Sequence, residues 1–356
     1  MQNSSLENFK QDINNIREYI QYINLINKVE ENNRSIFKLK KENLNSTFLE
    51  TLVNKVCKKH NKENIKNTSL KNFIEHLHSF NREKKEFEYK AIIISLYGIL
   101  ENTISKWIQE HIKNVSLIVC NYDNLEDKFK IEHFNLSIKL ISLITEKRHS
   151  KFDNIDKENI LQKLNQSIIS PNKFELNSEA YIPLSGNLKH TKVVEAFKPL
   201  NIDLNSLTNI LHREIIKIDD LVGRRNDIAH GGQIDNILGI SEFEDFISTL
   251  QIYMINIFDI IVEQEIKYHF QEEKIIYIDE PKEFYQSNTV CIINVKNIEL
   301  KIGDILFVKK NNKYSEVTIL NIQQGDKSIE SANNGELGLK LDSSVKKNSK
   351  IWKKLI

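Results

Sequence analysis

The spacing of apolar residues divides the chain into a long helical part and a shorter part rich in strands. Before residue 270, apolar side chains recur mostly every three or four residues, which places them on one face of an α-helix. This spacing predicts helices over six segments: 6–29, 87–111, 134–146, 157–169, 205–226 and 241–270. The last segment begins with Ser241 and has Glu244 three residues on, which is the form of a capping box.

Glycine and proline mark where the helical pattern stops. No proline precedes Pro171, and Gly98 is the only glycine before it. Residues 170–200 contain three of the four prolines and are predicted to form an irregular insertion. After Pro281, short apolar runs alternate with turns, and Asn311-Asn312 has the form of a tight hairpin turn. The runs predict strands over 289–295, 305–308, 317–322 and 337–341.

We therefore predict a multidomain fold that is α and then β. A large all-α helical bundle should occupy residues 1–275, and a small β-barrel should occupy residues 282–356. A length of 356 residues agrees with about two domains.

Composition excludes several classes of protein. Lys and Arg total 50 and Asp and Glu total 49, so the net charge of +1 gives the whole chain no attraction to nucleic acid or acidic membranes. Three distant cysteines indicate neither a disulfide framework nor a paired zinc site, and they fit a reducing cytoplasm. Cys57 with His60, and His76 with His78, have no second pair at zinc-finger spacing, so no metal and no cofactor are predicted.

No membrane segment is expected either. Residues 1–10 do not have the basic start and apolar core of a secretory signal. The most apolar stretch, 246–262, is interrupted by polar residues that a membrane span would not carry without special partners. We predict a cytoplasmic protein.

One cluster, residues 223–232, could carry chemistry. It reads Gly-Arg-Arg-Asn-Asp-Ile-Ala-His-Gly-Gly and lies where an amphipathic helix ends. Arg225 offers a planar, permanently charged fork suited to a phosphate, and His230 can exchange a proton near neutral pH. Asn226 could hold the phosphate or fix the imidazole. An arginine and a histidine without a carboxylate cluster suit RNA cleavage without a metal.

Geometry and a structural alternative weigh against this interpretation. Five residues along a regular helix turn by roughly 500°, so Arg225 and His230 would lie roughly 140° apart. They would converge only through local bending, which Gly231 and Gly232 could supply, or through a second subunit. Alternatively, His230 simply caps the end of a helix, where a cation is favoured.

The segment 225–231, Arg-Asn-Asp-Ile-Ala-His-Gly, resembles the R-x4–6-H motif of HEPN-domain ribonucleases, most closely the MAE-type branch of toxin and antiviral-defence proteins. The likeness covers roughly residues 5–270 and implies an all-α fold and a homodimer. It also implies that Glu101, on an earlier helix, faces the Arg–His site and orients Arg225; a surface or structural role for Glu101 stays open. Many HEPN proteins have a tyrosine two residues after the histidine, where this chain has Gly232, which counts against control by adenylylation.

The C-terminal part resembles a second family. The Ile302-Gly303-Asp304 segment and the later Gly-x-x-Gly-Leu-x-Leu segment at 335–341 are similar in order and spacing to the β-barrel of elongation-factor Tu's second domain. That likeness implies contact with tRNA or other translation-related RNA. A module that only packs against the rest of the protein is the alternative.

These observations predict a metal-independent endoribonuclease, with Arg225, His230, Asn226 and Glu101 as the site. It would leave a 2′,3′-cyclic phosphate and act as a toxin or antiphage-defence effector, with an antitoxin or defence protein as a further partner. Two rivals remain: a HEPN adaptor without catalysis that binds RNA or a partner protein, and a translation-associated protein whose function resides in the barrel.

Overall fold

The helical part precedes the strands, as predicted. A computed structural model describes residues 2–43, 68–146, 152, 154–183, 187–232, 236–310 and 313–355. The helices in these residues are α1 (Gln2–Asn43), α2 (Thr68–Ile118), α3 (Asp127–Thr145), α4 (Lys157–Ile169), α5 (His190–Phe197), α6 (Asn205–Ile210), α7 (His212–Ala229) and α8 (Ile240–Gln271). The strands are β1 (Ile275–Asp279), β2 (Glu283–Tyr285), β3 (Val290–Lys301), β4 (Ile305–Lys310), β5 (Lys313–Gln324), β6 (Lys327–Ile329), β7 (Ser331–Leu341) and β8 (Lys350–Lys354).

Two helical predictions need correction. The single helix expected over 205–226 is two helices, because Leu211 leaves the helical region of backbone angles (φ −116°, ψ 36°) while its side chain stays buried. Residues 170–200 are not irregular throughout: α5 lies within them, together with three short 3₁₀ helices. Phe174, Tyr181 and Phe197 bury their rings, so this segment is part of the core.

A buried polar network fixes the start of that segment. The backbone N–H of Asn177 donates to Nε2 of His133 (3.2 Å), so His133 carries its proton on Nδ1 and donates it to the Tyr122 hydroxyl (3.0 Å). The Asn177 amide donates to Ser137 Oγ (3.0 Å) and to the Ile160 carbonyl (3.2 Å). Asn177 is thereby bound to both α3 and α4. These bonds fix the position of the segment that follows α4, although it contains no long helix or strand.

We expect His133 to make the fold sensitive to acid. Burial lowers the pKa of His133 from 6.5 to about 4. Between these values the unfolded chain binds a proton that the folded protein does not, so stability is lost as the pH falls from about 6.5 to about 4. The loss from this residue is about 3 kcal/mol.

Denaturant unfolding measured at neutral and at acidic pH tests this expectation. The difference between the two should shrink in His133→Gln, which keeps a donor and an acceptor but does not titrate. An equally large acid effect in that variant would contradict the assignment.

The chain forms two compact units, each discontinuous in sequence. One contains residues 7–101 and 213–252, and the other contains residues 1–6, 102–212 and 253–356. The predicted division into domains at 275 and 282 stays a prediction, although the change from helix to strand does fall between Gln271 and Ile275.

The second unit contains a buried polar cluster between α2 and α8. His111 Nδ1 lies 3.0 Å from Glu265 Oε1, and the Asn114 amide lies 3.1 Å from each Glu265 oxygen. Glu265 is 4% exposed and His111 is 0% exposed. Beside them, Trp107 and Phe258 pack with ring centroids 5.0 Å apart. The carboxylate is therefore enclosed and depends on these partners for its hydrogen bonds.

The strands of the second unit form an antiparallel half-barrel with the order β1-β8-β4-β5-β7-β3-β2, and β6 pairs with β5. Its core consists of alternate residues facing inward, among them Ile293, Leu306, Val317, Leu339 and Ile351. The small β-barrel that the sequence predicts is seen as a half-barrel: in the described part of the chain no ladder joins β1 to β2. Lys310 pairs with Lys313, while the predicted turn at Asn311-Asn312 lies outside the described residues.

Helix α8 is the one helix in the described residues that is long and apolar enough to cross a membrane. More than half of its most apolar stretch is buried inside the protein, as is typical of a core helix.

Candidate functional site

Helix α7 positions the motif in its last two turns. Ile218, Leu221 and Val222 are its buried residues, and they fix which face of the helix points inward. The residues that follow become progressively more accessible: Arg225 and Asn226 are half-buried, and His230 is exposed. The helix therefore presents the motif at the border between core and solvent.

Tyr97 and Asn226 both contact the guanidinium of Arg225. The guanidinium carbon lies 4.6 Å from the ring centroid of Tyr97, a residue of α2 that is 2% exposed. Nη1 of Arg225 donates to Oδ1 of Asn226 (3.1 Å). A cation over an aromatic face gains about 0.5–2 kcal/mol. Arg225 is thus oriented by a buried ring on one side and an amide on the other.

His230 continues the helix and presents its ring to solvent. Its backbone N–H donates to the Asn226 carbonyl (2.9 Å), as in a regular helical turn. Residues four apart lie on the same face, so Asn226 and His230 are neighbours on the helix surface. Among the residues that the structure describes, no group forms a hydrogen bond with the imidazole, which leaves both ring nitrogens accessible.

The two glycines do not bring Arg225 and His230 together. Because the helical bond from residue 230 to residue 226 is intact, the chain bends only after His230, and the prediction that Gly231 and Gly232 would bend the helix is wrong. On a regular helix the two side chains start about 140° apart. Their convergence on one phosphate therefore requires a second chain or the reach of both side chains.

The glycines instead end the helix. Gly231 has a φ of +70° and its N–H donates to the Ile228 carbonyl (3.2 Å), while the N–H of Gly232 donates to the Asp227 carbonyl (2.8 Å). These are the two bonds of a Schellman motif with His230 at the C-cap. His230 thus does lie at the cap of the helix, as the structural alternative supposed, but backbone hydrogen bonds form the cap. The imidazole takes no part in these bonds and is free for chemistry.

We expect opposite effects from two Gly→Ala substitutions on this helix. Gly231→Ala forces an alanine into the left-handed region and should destabilise the protein by about 1 kcal/mol. Gly223→Ala lies inside α7, where a Cβ would meet nothing within 4 Å, and should stabilise it by about 0.5–1 kcal/mol. Denaturant unfolding of both variants tests the pair, and effects of the same sign would contradict the capping geometry.

Arg224 has a different role from Arg225. It donates from Nε to Asp220 (3.0 Å), and from Nη1 to the Tyr89 hydroxyl (3.0 Å) and to the Asn236 carbonyl (3.2 Å). Partial burial opposes its charge, but the hydrogen bonds to Tyr89 and Asp220 outweigh this and raise the pKa of the guanidinium. Arg224 therefore ties α7 to α2 and to the segment that follows the glycines.

Glu101 lies one turn after Tyr97 on α2 and is half-buried. This spacing places it on the helix face that meets Arg225. In the part of the chain that the structure describes, however, no ion pair or hydrogen bond joins Glu101 to Arg225. Tyr97, whose ring lies against the guanidinium, was not singled out from the sequence. Its one signal was a position eight residues after Tyr89 on the same helix face.

The described residues contain no group of three or more His, Cys, Asp or Glu side chains that could hold a metal ion. Cys57 and His60 lie outside the described residues. The chemistry available at the site itself is that of a guanidinium, an amide and an imidazole.

Comparison with known families gives one match. Residues 67–263, more than half of the chain, match the family described as RiboL-PSP-HEPN. The chain belongs to the RiboL-PSP-HEPN family. The matched HEPN region includes all of α2 and all of α7, and so contains Arg225, Asn226, His230 and Glu101. A search of curated proteins gave no match.

Position 232, two residues after His230, has little room for a tyrosine. A Cβ at Gly232 would lie 3.1 Å from the Asp227 carbonyl oxygen. That distance is shorter than ordinary van der Waals contact, so a larger residue would require the end of α7 to shift. The Schellman geometry thus gives a physical reason for glycine at this position.

Proposed function

We propose that the protein is a metal-independent endoribonuclease of the HEPN type. The observation that carries the proposal is the end of α7, where Arg225 is held between Tyr97 and Asn226 and the accessible imidazole of His230 follows one turn later. A cation and an accessible general base, brought to one phosphate by a second chain or by the reach of both side chains, fit the transition state of a phosphodiester under attack.

In the proposed reaction the 2′-hydroxyl of the RNA is its own nucleophile. His230 takes the hydroxyl proton, the oxygen bonds to phosphorus, and the bond to the 5′-oxygen breaks. A proton delivered to that oxygen gives a 5′-hydroxyl and leaves a 2′,3′-cyclic phosphate. Arg225 stabilises the charge on the phosphorus oxygens. Because one histidine is not both base and acid in the same step, we propose a homodimer in which each chain supplies a His230.

The proposed setting is the cytoplasm, with the enzyme as a toxin or antiphage-defence effector of the MAE-type branch. An antitoxin or another defence protein would then be a partner. The half-barrel, in the likeness of the elongation-factor Tu domain, would direct the enzyme to tRNA or other translation-related RNA.

Purified protein incubated with total cellular RNA in excess EDTA tests the proposal. We expect wild-type cuts ending in a 2′,3′-cyclic phosphate, absent with His230→Ala and present with His212→Ala. His212 is the matched control because it is an exposed histidine at the start of the same helix. Equal cleavage by wild type and His230→Ala would overturn the assignment of His230, and cleavage only with added metal would overturn the mechanism.

A non-catalytic adaptor that binds RNA or a partner protein is the second candidate. The Schellman motif favours it, because the glycines after His230 are explained by helix termination alone. The adaptor predicts that His230→Ala leaves RNA affinity and toxicity on expression unchanged, whereas the nuclease predicts that toxicity is lost.

A further inference from the structure

A cavity of about 280 Å³ lies between α3, α5 and the 3₁₀ helix Ser178–Tyr181. Its wall on α3 consists of leucines that share one helix face by their spacing: Leu136, Leu140 and Leu143. The 3₁₀ helix and α5 line it with Ala180 and Ala196, whose methyl groups leave the space open. The cavity is therefore apolar over most of its lining and is walled by regular elements.

Buried hydrogen bonds fix the elements around this cavity. Asn177, just before the 3₁₀ helix, donates to Ser137 Oγ of α3 (3.0 Å). At the first residue of α5, Nδ1 of the buried His190 lies 3.0 Å from the Tyr253 hydroxyl of α8. A preformed cavity of this kind lowers the entropy cost of binding a ligand. All these residues belong to the unit that also contains the half-barrel, so the cavity shares no residue with the Arg–His site.

Four charged side chains line the cavity beside the apolar residues, two lysines and two glutamates. Lys192 and Glu195 of α5 form an ion pair with each other (2.6 Å). Lys139 of α3 and Glu179 of the 3₁₀ helix do not pair with each other, and within the described residues neither side chain has another hydrogen-bond or ion-pair partner. The cavity thus has one unpaired cation and one unpaired anion, on two different walls.

The size of the cavity selects a small ligand. A cavity of roughly 150 Å³ holds a benzene molecule, and drug-sized ligands occupy roughly 300–1,000 Å³. A volume of about 280 Å³ therefore suits one branched or aromatic side chain together with the polar groups attached to it.

We propose that this cavity binds a free α-amino acid with an apolar side chain. The carboxylate pairs with Lys139, the ammonium pairs with Glu179, and the side chain lies among the leucines of α3. A fatty acid fits less well, because its carboxylate would meet Glu179 without a cationic group to offset the repulsion. A nucleotide would bring two negative charges to a lining whose lysines and glutamates are equal in number.

Isothermal titration of the full-length protein with L-leucine and L-phenylalanine tests the proposal. We expect at least one of them to bind with a Kd of about 1 mM or tighter. The amide of that amino acid, which lacks the carboxylate, and its N-acetyl derivative, which lacks the ammonium, should each bind about tenfold more weakly. Glycine, which lacks the apolar side chain, should not bind.

Four variants connect the binding to the cavity. Lys139→Gln and Glu179→Gln should each weaken the amino acid about tenfold. Lys139→Gln should then bind the amide as well as the amino acid, and Glu179→Gln should do the same with the N-acetyl derivative. Lys128→Gln is the matched control, an exposed lysine on α3 outside the lining, and should keep the parent affinity. Ala196→Phe fills the cavity and should abolish binding, while circular dichroism confirms that it is folded.

Several outcomes would overturn the proposal: no binding of either amino acid, equal binding of glycine, or an N-acetyl derivative that binds as tightly as the free amino acid. Unchanged affinity in both glutamine variants would do the same, because the charged groups would then contribute nothing. No RNA is present in these titrations, so their result does not depend on the cleavage assay.

Discussion

Arg225→Ala and His230→Ala should each reduce RNA cleavage by about 10²- to 10⁴-fold. Loss of His230 removes the base, and loss of Arg225 removes the charge that stabilises the phosphorus oxygens. Arg225→Lys should recover little activity, because an ammonium keeps the charge but lacks the planar fork held between Tyr97 and Asn226. The measurement is the single-turnover rate constant for cleavage of a defined RNA at saturating enzyme.

Two controls separate chemistry from folding. His212→Ala changes an exposed histidine on the same helix and should keep the wild-type rate. Tyr97→Leu removes the ring under Arg225 and should reduce the rate less than Arg225→Ala does, since Asn226 still binds the guanidinium. A wild-type rate in Arg225→Ala would contradict the catalytic role of Arg225.

The largest loss of stability is expected from Glu265→Ala in the buried cluster of α2 and α8. The substitution removes the acceptor for His111 and for both bonds from the Asn114 amide, and it leaves those donors enclosed without partners. Breaking a buried charged network by removing one member costs about 3–5 kcal/mol. The measurement is the change in the free energy of unfolding in denaturant.

Glu263→Ala is the matched control two residues earlier on α8. Glu263 is partly exposed (24%) and pairs with the more exposed Lys267 one turn on (3.1 Å), so its loss should cost no more than about 0.5 kcal/mol. Similar losses in the two variants would show that the cluster around Glu265 contributes no more than a surface pair.

The sequence predicted the order of elements because its periodicity is strong. α4 has the predicted bounds, and α8 begins within one residue of the prediction. The capping residues were wrong, however: α8 begins after Gly239, whose N–H donates to Glu242 Oε2 (2.7 Å), while Glu244 binds Arg17. The sequence offers two capping pairs, Ser241 with Glu244 and Gly239 with Glu242, and the local pattern does not choose between them. Glu244 is instead bound by Arg17 of α1, a residue far away in the sequence.

The site was predicted in part for a similar reason. The motif placed Arg225, Asn226 and His230 at the end of a helix, and α7 does end there. Which residue contacts Arg225 depends on how α2 packs against α7. From helical spacing alone, Tyr97 could be predicted only as one more core residue. The C-terminal part was expected as a small β-barrel, and the strand pattern alone does not say whether the two edges of its sheet meet.

The discontinuous units have a consequence for the order in which the protein is made. Nascent chains fold unit by unit from the N-terminus as synthesis proceeds. The unit that contains Arg225, Asn226 and His230 ends at residue 252, whereas the other unit also needs residues 253–356. The candidate site therefore has all its residues while the half-barrel is still being translated. A premature stop codon after residue 275 would produce a fragment that retains every candidate catalytic residue without the half-barrel.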